Sequence, residues 1–327
     1  VNNDAASASA RTVALAMLAN ASVGLLKLVA GLVSGSGALL SEAAHSVGDT
    51  STELLLATAL WRSSRPADGV HPFGYGKERY FWSLLAAVGI FVSGAAFSVF
   101  EGVHTIVSPE RAAHLLWINY PVLVLAFVLE GISLRQAVRS THGEARRRRR
   151  SVGDVVRDPH DPTVRSVVLE DTAALIGVIV AGLGVGLHQL TGSAMWDGSA
   201  SLVIGALLVV AAVLLAQTCK ALLIGKQADS RLMRRIEERL EEQDEVDDVV
   251  DVLTMLTGVD RVLLCTRVDF VDGFSAGELE HACVRMGELL RHEFPALDEV
   301  FIQPASKEDT LVQQRVRARY GHELTGH

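Results

Sequence analysis

The chain has 327 residues, of which 49% are hydrophobic and 21% charged, with a mean hydropathy of +0.30 and a net charge of −8. Those values exclude an ordinary soluble domain and suit a membrane protein carrying a soluble appendage. Cys219, Cys265 and Cys283 are scattered with no CxxC, which excludes disulfide staples and thiolate metal sites.

The start, VNNDAASASA, has no basic segment followed by a short apolar core, so no cleavable signal peptide is expected, and the lack of a leading Met fits a trimmed or alternative start. Six apolar stretches follow, at 12–33, 38–60, 81–107, 115–134, 166–187 and 199–223. Each is long enough to cross a hydrocarbon core of ~30 Å, which takes about 20 helical residues. The connections alternate in character. Those at 34–37, 108–114 and 188–198 are nearly free of base, whereas the others carry Arg62, Arg65, Lys77 and Arg79, then Arg135, Arg139 and Arg146 to Arg150, then Lys226. The positive-inside rule puts the basic loops and both termini in the cytoplasm, giving a multi-pass protein of the inner (plasma) membrane. The arginine run sits in a polar loop at 140–163. It reads as a topogenic anchor or a contact for anionic lipid headgroups. Without interleaved aromatics it does not read as a nucleic-acid site.

After Leu223 the chemistry changes. Residues 230–243 form an amphipathic charged helix, 246–256 and 261–269 read as strands joined through Thr257 and Gly258, 276–293 is a second helix, and 300–304 closes as a strand. The order αββαβ fits a small sheet covered on one face by two helices. The chain thus divides into a membrane domain (1–225), a small domain (226–306) and a charged, flexible tail (307–327).

The second apolar stretch, ALLSEAAHSVGDTSTELLLATAL, carries His45, Asp49 and Glu53 four residues apart, one helical turn above another. Ionisable groups in hydrocarbon are costly unless they face protein or a watery cavity. An imidazole and a carboxylate on adjacent turns can bind one divalent cation, and imidazole suits zinc or another transition metal. The fifth stretch adds Glu170 and Asp171, which point about 100° apart. Two acidic helices in one bundle make a shared cation site the economical account. Lys27 and Glu101 lie toward span ends and are expected to snorkel. Asn20 and Glu130 lie deeper, as helix contacts or a proton path. No Ser-His-Asp arrangement, Walker loop or cofactor fingerprint appears, so the chain is not expected to be an enzyme or an ATP-driven pump.

Three stretches together resemble the cation diffusion facilitator family of divalent-metal transporters: SGALLSEAAHSVGDT, HPFGYGKERYFW, and LLIGKQAD leading into αββαβ. VVLEDTAALIGVIVA is similar to the branch containing the mitochondrial zinc transporter. The resemblance implies an α-helical membrane protein, a six-transmembrane-helix bundle with a C-terminal cytoplasmic ferredoxin-like domain, working as a homodimer in the lipid bilayer. It implies export of Zn2+ from the cytoplasm in exchange for H+, with Mn2+, Fe2+ or Co2+ as alternative cargoes. A non-transporting scaffold or metal sensor is the reading from another class. His45, Asp49 and Asp171 match the family's ligands. The fourth position is Val167, so Glu170 or water would complete the shell. A second family site matches Asp68 and His71, with Tyr75 at its third position; phenol, with a pKa of ~10, is a poor ligand, and His71 also reads as a plain loop residue beside Pro72. Lys77 matches a lysine that pairs with an acid below span six, where Asp229 stands. Some members bind zinc through histidines on the strands of the small domain. Here those positions are Asp251, Thr254 and Gln303, His281 and His292 read as surface residues, and dimerisation would rest on faces such as Val262, Leu264 and Val268.

Overall fold

The computed structural model describes residues 20–108, 116–147 and 162–320. The beginning of the chain, most of the arginine run and the last seven residues lie outside the described residues. Six helices come first: α1 (Asn20–Ser34), α2 (Gly37–Ser63), α3 (Glu78–Val107), α4 (Asn119–Arg147), α5 (Pro162–Thr191) and α6 (Met195–Ile224). Among the described residues, α3 to α6 are the four helices long and apolar enough to cross a membrane. In α2 the apolar run is interrupted by Glu42, His45, Asp49 and Glu53.

The punctuation of these helices is local chemistry. Gly35 and Gly192 adopt φ of 70° and 71°, the left-handed conformation that ends a helix cheaply only in glycine. Their N–H groups close the last turns of α1 and α5 on Gly31 O and His188 O, both at 2.8 Å. Pro162 opens α5, where its missing N–H costs nothing. Of the expected polar loop at 140–163, residues 140–147 are helical, because α4 runs on to Arg147, and 148–161 lie outside the described residues. There the polar side chains bond their own helix, as Thr141 Oγ1 does in donating to Ala137 O.

Apolar side chains face outward along the bundle, among them Leu25, Leu32, Phe100, Val124, Leu183 and Val210. Such a surface suits hydrocarbon, where association rests on close packing rather than on expulsion of water. Small residues supply that packing. A Cβ on Gly102 would come within 2.8 Å of Gly198 O, and one on Gly198 within 2.9 Å of Gly102 O, so α3 and α6 meet backbone to backbone. In α3 the segment Ile90–Ala96 is π-helical, an element common at functional sites, and it packs on α2.

The chain splits into two compact units. One holds the residues up to Ser64 and Glu78–Lys220; the other holds Arg65–Lys77 and the residues from Ala221. The second unit contains α7 (Ser230–Glu241), β1 (Val246–Gly258), β2 (Arg261–Phe270), α8 (Ala276–Glu293), β3 (Leu297–Pro304) and α9 (Thr310–Tyr320). The sheet order is β1-β2-β3, antiparallel between β1 and β2 and parallel between β2 and β3. The hairpin turns at Val259 and Asp260, not at the expected Thr257 and Gly258, with Asp260 at φ 55°. Val262, Leu264 and Val268 are at most 3% exposed, so they form this unit's own core and are not free for association. The expected flexible tail instead carries α9. Val316 is buried and Arg319 donates to Asp251 Oδ2 at 2.9 Å, which together hold the helix.

Candidate functional site

Successive residues of an α-helix turn by about 100°. Glu42, Ser46, Asp49 and Glu53 therefore share one stripe of α2, with His45 at its edge. Close approach of α3 lines this face: Gly94 packs toward the His45 backbone, and a Cβ on Gly48 would meet Ser93 Oγ at 2.9 Å.

His45 is 2% exposed, and its Nδ1 lies 3.4 Å from Asp49 Oδ1. That spacing is long for a hydrogen bond. His45 Nε2 and Asp49 Oδ1 are buried without a hydrogen-bond partner among the described residues. On α5 it is Glu170, not Asp171, that is buried; its Oε1 likewise lacks a partner, and its charge lies within reach of Asp49, Asp171 and Glu53. Asp171 Oδ2 instead accepts from Ser133 Oγ of α4 at 2.9 Å. Val167 is 36% exposed. Among the described residues, no three His, Cys, Asp or Glu side chains converge closely enough to hold a metal in this conformation. The structure thus sets His45 beside Asp49, buries Glu170 on α5 with its charge within reach of Asp49, and ties Asp171 to α4.

The other sequence-derived candidates resolve differently. Asp68 caps a turn. Its Oδ1 accepts from the backbone N–H groups of Val70 and His71 at 2.9 and 2.7 Å, and its Oδ2 accepts from Tyr75 Oη at 2.6 Å. These bonds, the tyrosine's first, lower its pKa to about 2. His71 is exposed, and its ring packs against Tyr75 at a 40° tilt with centroids 4.3 Å apart. Lys77 Nζ lies 3.7 Å from Met255 Sδ, and Asp229 caps α7 by accepting from Arg231 N at 2.9 Å. His281 and His292 are exposed on α8.

Two polar clusters were not read from the sequence. Lys27 does not snorkel: it is wholly buried and bonds Glu42 and Ser46. Glu101 is buried too, at 5% exposure. Asn20 donates to Glu53 Oε1 at 2.6 Å. Asp197 of α6 is wholly buried at the start of α2, where it accepts from Ser36 Oγ at 2.7 Å and from the Gly37 N–H at 2.6 Å. The signal for the first cluster was Glu42 in LLSEAAHS, on the same stripe as Asp49.

A helical membrane protein with buried, unpartnered ligand-type atoms on two helices fits a carrier of cations. Residues 13–224 match the cation efflux transmembrane domain. The chain belongs to this cation efflux, or cation diffusion facilitator, family, whose members are transporters and not enzymes. It is 34% identical over 244 residues to the proton-coupled zinc antiporter SLC30A9, mitochondrial, of Homo sapiens, a match covering 75% of this chain and 43% of the relative. The Xenopus laevis protein of the same name is also 34% identical over 244 residues, covering 75% of this chain and 44% of the relative. Metal tolerance protein C4 of Arabidopsis thaliana is 35% identical over 230 residues, 70% of this chain and 50% of the relative. The chain therefore falls in the branch that contains the mitochondrial zinc antiporter, and its match spans half or less of these relatives' lengths.

The relatives correct one expectation. The human and frog proteins are named mitochondrial, which overturns the plasma-membrane assignment. Residence in a membrane, crossed more than once, stands.

Proposed function

We propose that the chain is a proton-coupled antiporter of Zn2+, moving the metal away from the side that carries the basic loops and the small domain. In this reading α1 and α2 join the four apolar spans in a six-helix bundle, the small domain is ferredoxin-like, and the protein works as a homodimer. The observation that carries it is that His45 Nε2, Asp49 Oδ1 and Glu170 Oε1 are buried without a hydrogen-bond partner among the described residues. A buried polar atom left unpaired costs free energy that a bound cation would return. Two carboxylates and one imidazole are a donor set that zinc accepts.

His45 exchanges a proton for metal, since metal binds only the neutral imidazole and an imidazole titrates near neutral pH. Glu170 is the direct ligand from α5, and Asp171 joins when Ser133 releases it. Asp68 and His71 form a turn rather than a metal site, because both Asp68 oxygens are engaged. With only one nitrogen donor, the set also suits the harder Mn2+, Fe2+ or Co2+.

Flux of each metal into liposomes tests this. Asp49→Asn and Glu170→Gln should abolish Zn2+ uptake in well-folded protein, with a smaller loss in Asp171→Asn. Near-normal uptake in Asp49→Asn would sink the site. Loss in Asp171→Asn alone would return the α5 ligand to Asp171.

A further inference from the structure

Lys27 of α1 is among the largest wholly buried side chains of the protein. Its Nζ donates to Glu42 Oε2 at 3.1 Å and Ser46 Oγ at 3.0 Å, both on α2, and reaches Glu130 Oε1 on α4 at 3.5 Å. Glu42 is itself wholly buried. Its other oxygen packs against Gly177 of α5, where a Cβ would collide with it, and has no hydrogen-bond partner among the described residues. Two carboxylates and a hydroxyl, contributed by two helices and closed by a third, are the oxygen donors that hard cations take. An ammonium fills such a cage with one charge and three donors. The cluster adjoins the central position, because Ser46 follows His45 in the chain and the Lys27 charge is felt by both His45 and Asp49.

We propose that Glu42, Ser46 and Glu130 form a second cation position within the bundle, whose occupant is the Lys27 ammonium tethered on α1. The tether closes this position to the cargo and confines the metal to His45, Asp49 and Glu170. Two acids so near a metal pathway would otherwise compete for the ion, and an ion held by wholly buried Glu42 would leave slowly. A covalently attached cation occupies the place between them without ever departing. Removing the ammonium while keeping the oxygens should open the position to a small free cation, whether a divalent metal or a primary ammonium. The identity of the cargo rests on the function proposed above; the tethered occupant does not.

The test is zinc stoichiometry in the full-length protein in detergent, by equilibrium dialysis. Lys27→Ala should bind one more Zn2+ per protomer than the wild type, and Lys27→Ala/Glu42→Gln should lose that extra ion. A folded, monodisperse Lys27→Ala with wild-type stoichiometry overturns the proposal. Should Lys27→Ala not be recovered folded alone, it is purified in Zn2+ or in millimolar ethylammonium. Recovery with either cation supports the proposal, and recovery with neither overturns it. The wild-type baseline separates the two readings: no zinc on the wild type, with one on Lys27→Ala, would sink the central site and leave the tethered cation standing.

Discussion

Replacing Asp251 by alanine should loosen the small domain by an amount the geometry sets. Asp251, Arg267 and Gln303 stand side by side across β1, β2 and β3. Arg267 Nη1 donates to Asp251 Oδ2 at 2.8 Å and Arg267 Nε to Gln303 Oε1 at 3.3 Å. A guanidinium thus links two of the positions at which some family members carry histidine. Arg319 adds a second bond to the same oxygen at 2.9 Å. The Asp251 side chain is 0% exposed, against 17% for Arg267 and 40% for Arg319. A hydrogen bond to a charged group contributes about 1.5–3 kcal/mol when well buried. That value fits the Arg267 arm, while the Arg319 arm is discounted to ~0–1 kcal/mol for solvent screening. Asp251 Oδ1 has no partner among the described residues, so part of the carboxylate's desolvation is uncompensated and the upper end of the range is not expected. The loss should be ~2–3 kcal/mol, or roughly one and a half to two powers of ten in an opening equilibrium at ~1.4 kcal/mol per tenfold.

Hydrogen exchange of the β1 and β2 amides in the full-length protein reads this opening directly. Asp251→Ala should lower protection by that factor and Arg319→Ala by less than about tenfold. Unchanged protection in Asp251→Ala, or an equal loss in both variants, would refute the reasoning. The same amides should be indifferent to EDTA or micromolar Zn2+, because a ligand stabilises only what it binds. A zinc-dependent rise in protection would reveal a metal site, with His281 and His292 the first residues to mutate.

Two further outcomes are expected. Tyr75→Phe removes the hydrogen bond that does most to hold the Asp68 pKa down, so this carboxyl should move from about 2 up toward its ordinary value of 3.8, as read by NMR of labelled aspartate. With the folded value depressed, the turn's contribution to stability is complete above 3.8 and lost as pH falls through about 2; in Tyr75→Phe the contribution should be smaller and its loss complete at a higher pH. Asp197→Asn keeps only one acceptor where Ser36 Oγ and the Gly37 N–H now bond separate carboxylate oxygens. It should cost ~1–3 kcal/mol and show as faster exchange at the start of α2, with wild-type exchange there counting against the cap.

Much of the fold could be read because its causes are local. Long apolar runs, a fall in hydropathy after Leu223 and alternating strand patterns each act within a few residues. The failures have non-local causes. Lys27 lies 15 residues from Glu42 but 103 from Glu130, and no periodicity announces that α4 will arrive beside α1. The helix α9 looked like a frayed tail because its anchors, Asp251 and the core around Val316, lie elsewhere in the chain. The hairpin was misplaced because Thr257-Gly258 is a stronger turn signal than Val259-Asp260, although Asp tolerates the left-handed conformation found there. At the site, adjacency showed that Glu170 and Asp171 diverge, but not which would face α2. Ser133, on another helix, decides that by taking Asp171.

The stripe on α2 also shows how one helix can hold two kinds of charge. Glu42 Oε2 and Ser46 Oγ accept from a lysine that the chain supplies itself, while Glu42 Oε1 keeps no hydrogen-bond partner among the described residues. Three residues beyond Ser46, Asp49 has no lysine or arginine at bonding distance among the described residues, and His45 and Glu170 likewise keep bare buried atoms there. A carrier needs this asymmetry. Groups that bind an exchangeable ion must not be permanently satisfied, or the ion has nothing to gain by entering. Nearby acids outside the exchange need a resident partner, or they would hold the ion and slow its release. Sequence spacing alone draws Glu42, Asp49 and Glu53 as equivalent acids on one face. Their partners among the described residues separate them: Lys27 for Glu42, Asn20 for Glu53, and for Asp49 the histidine one turn before it.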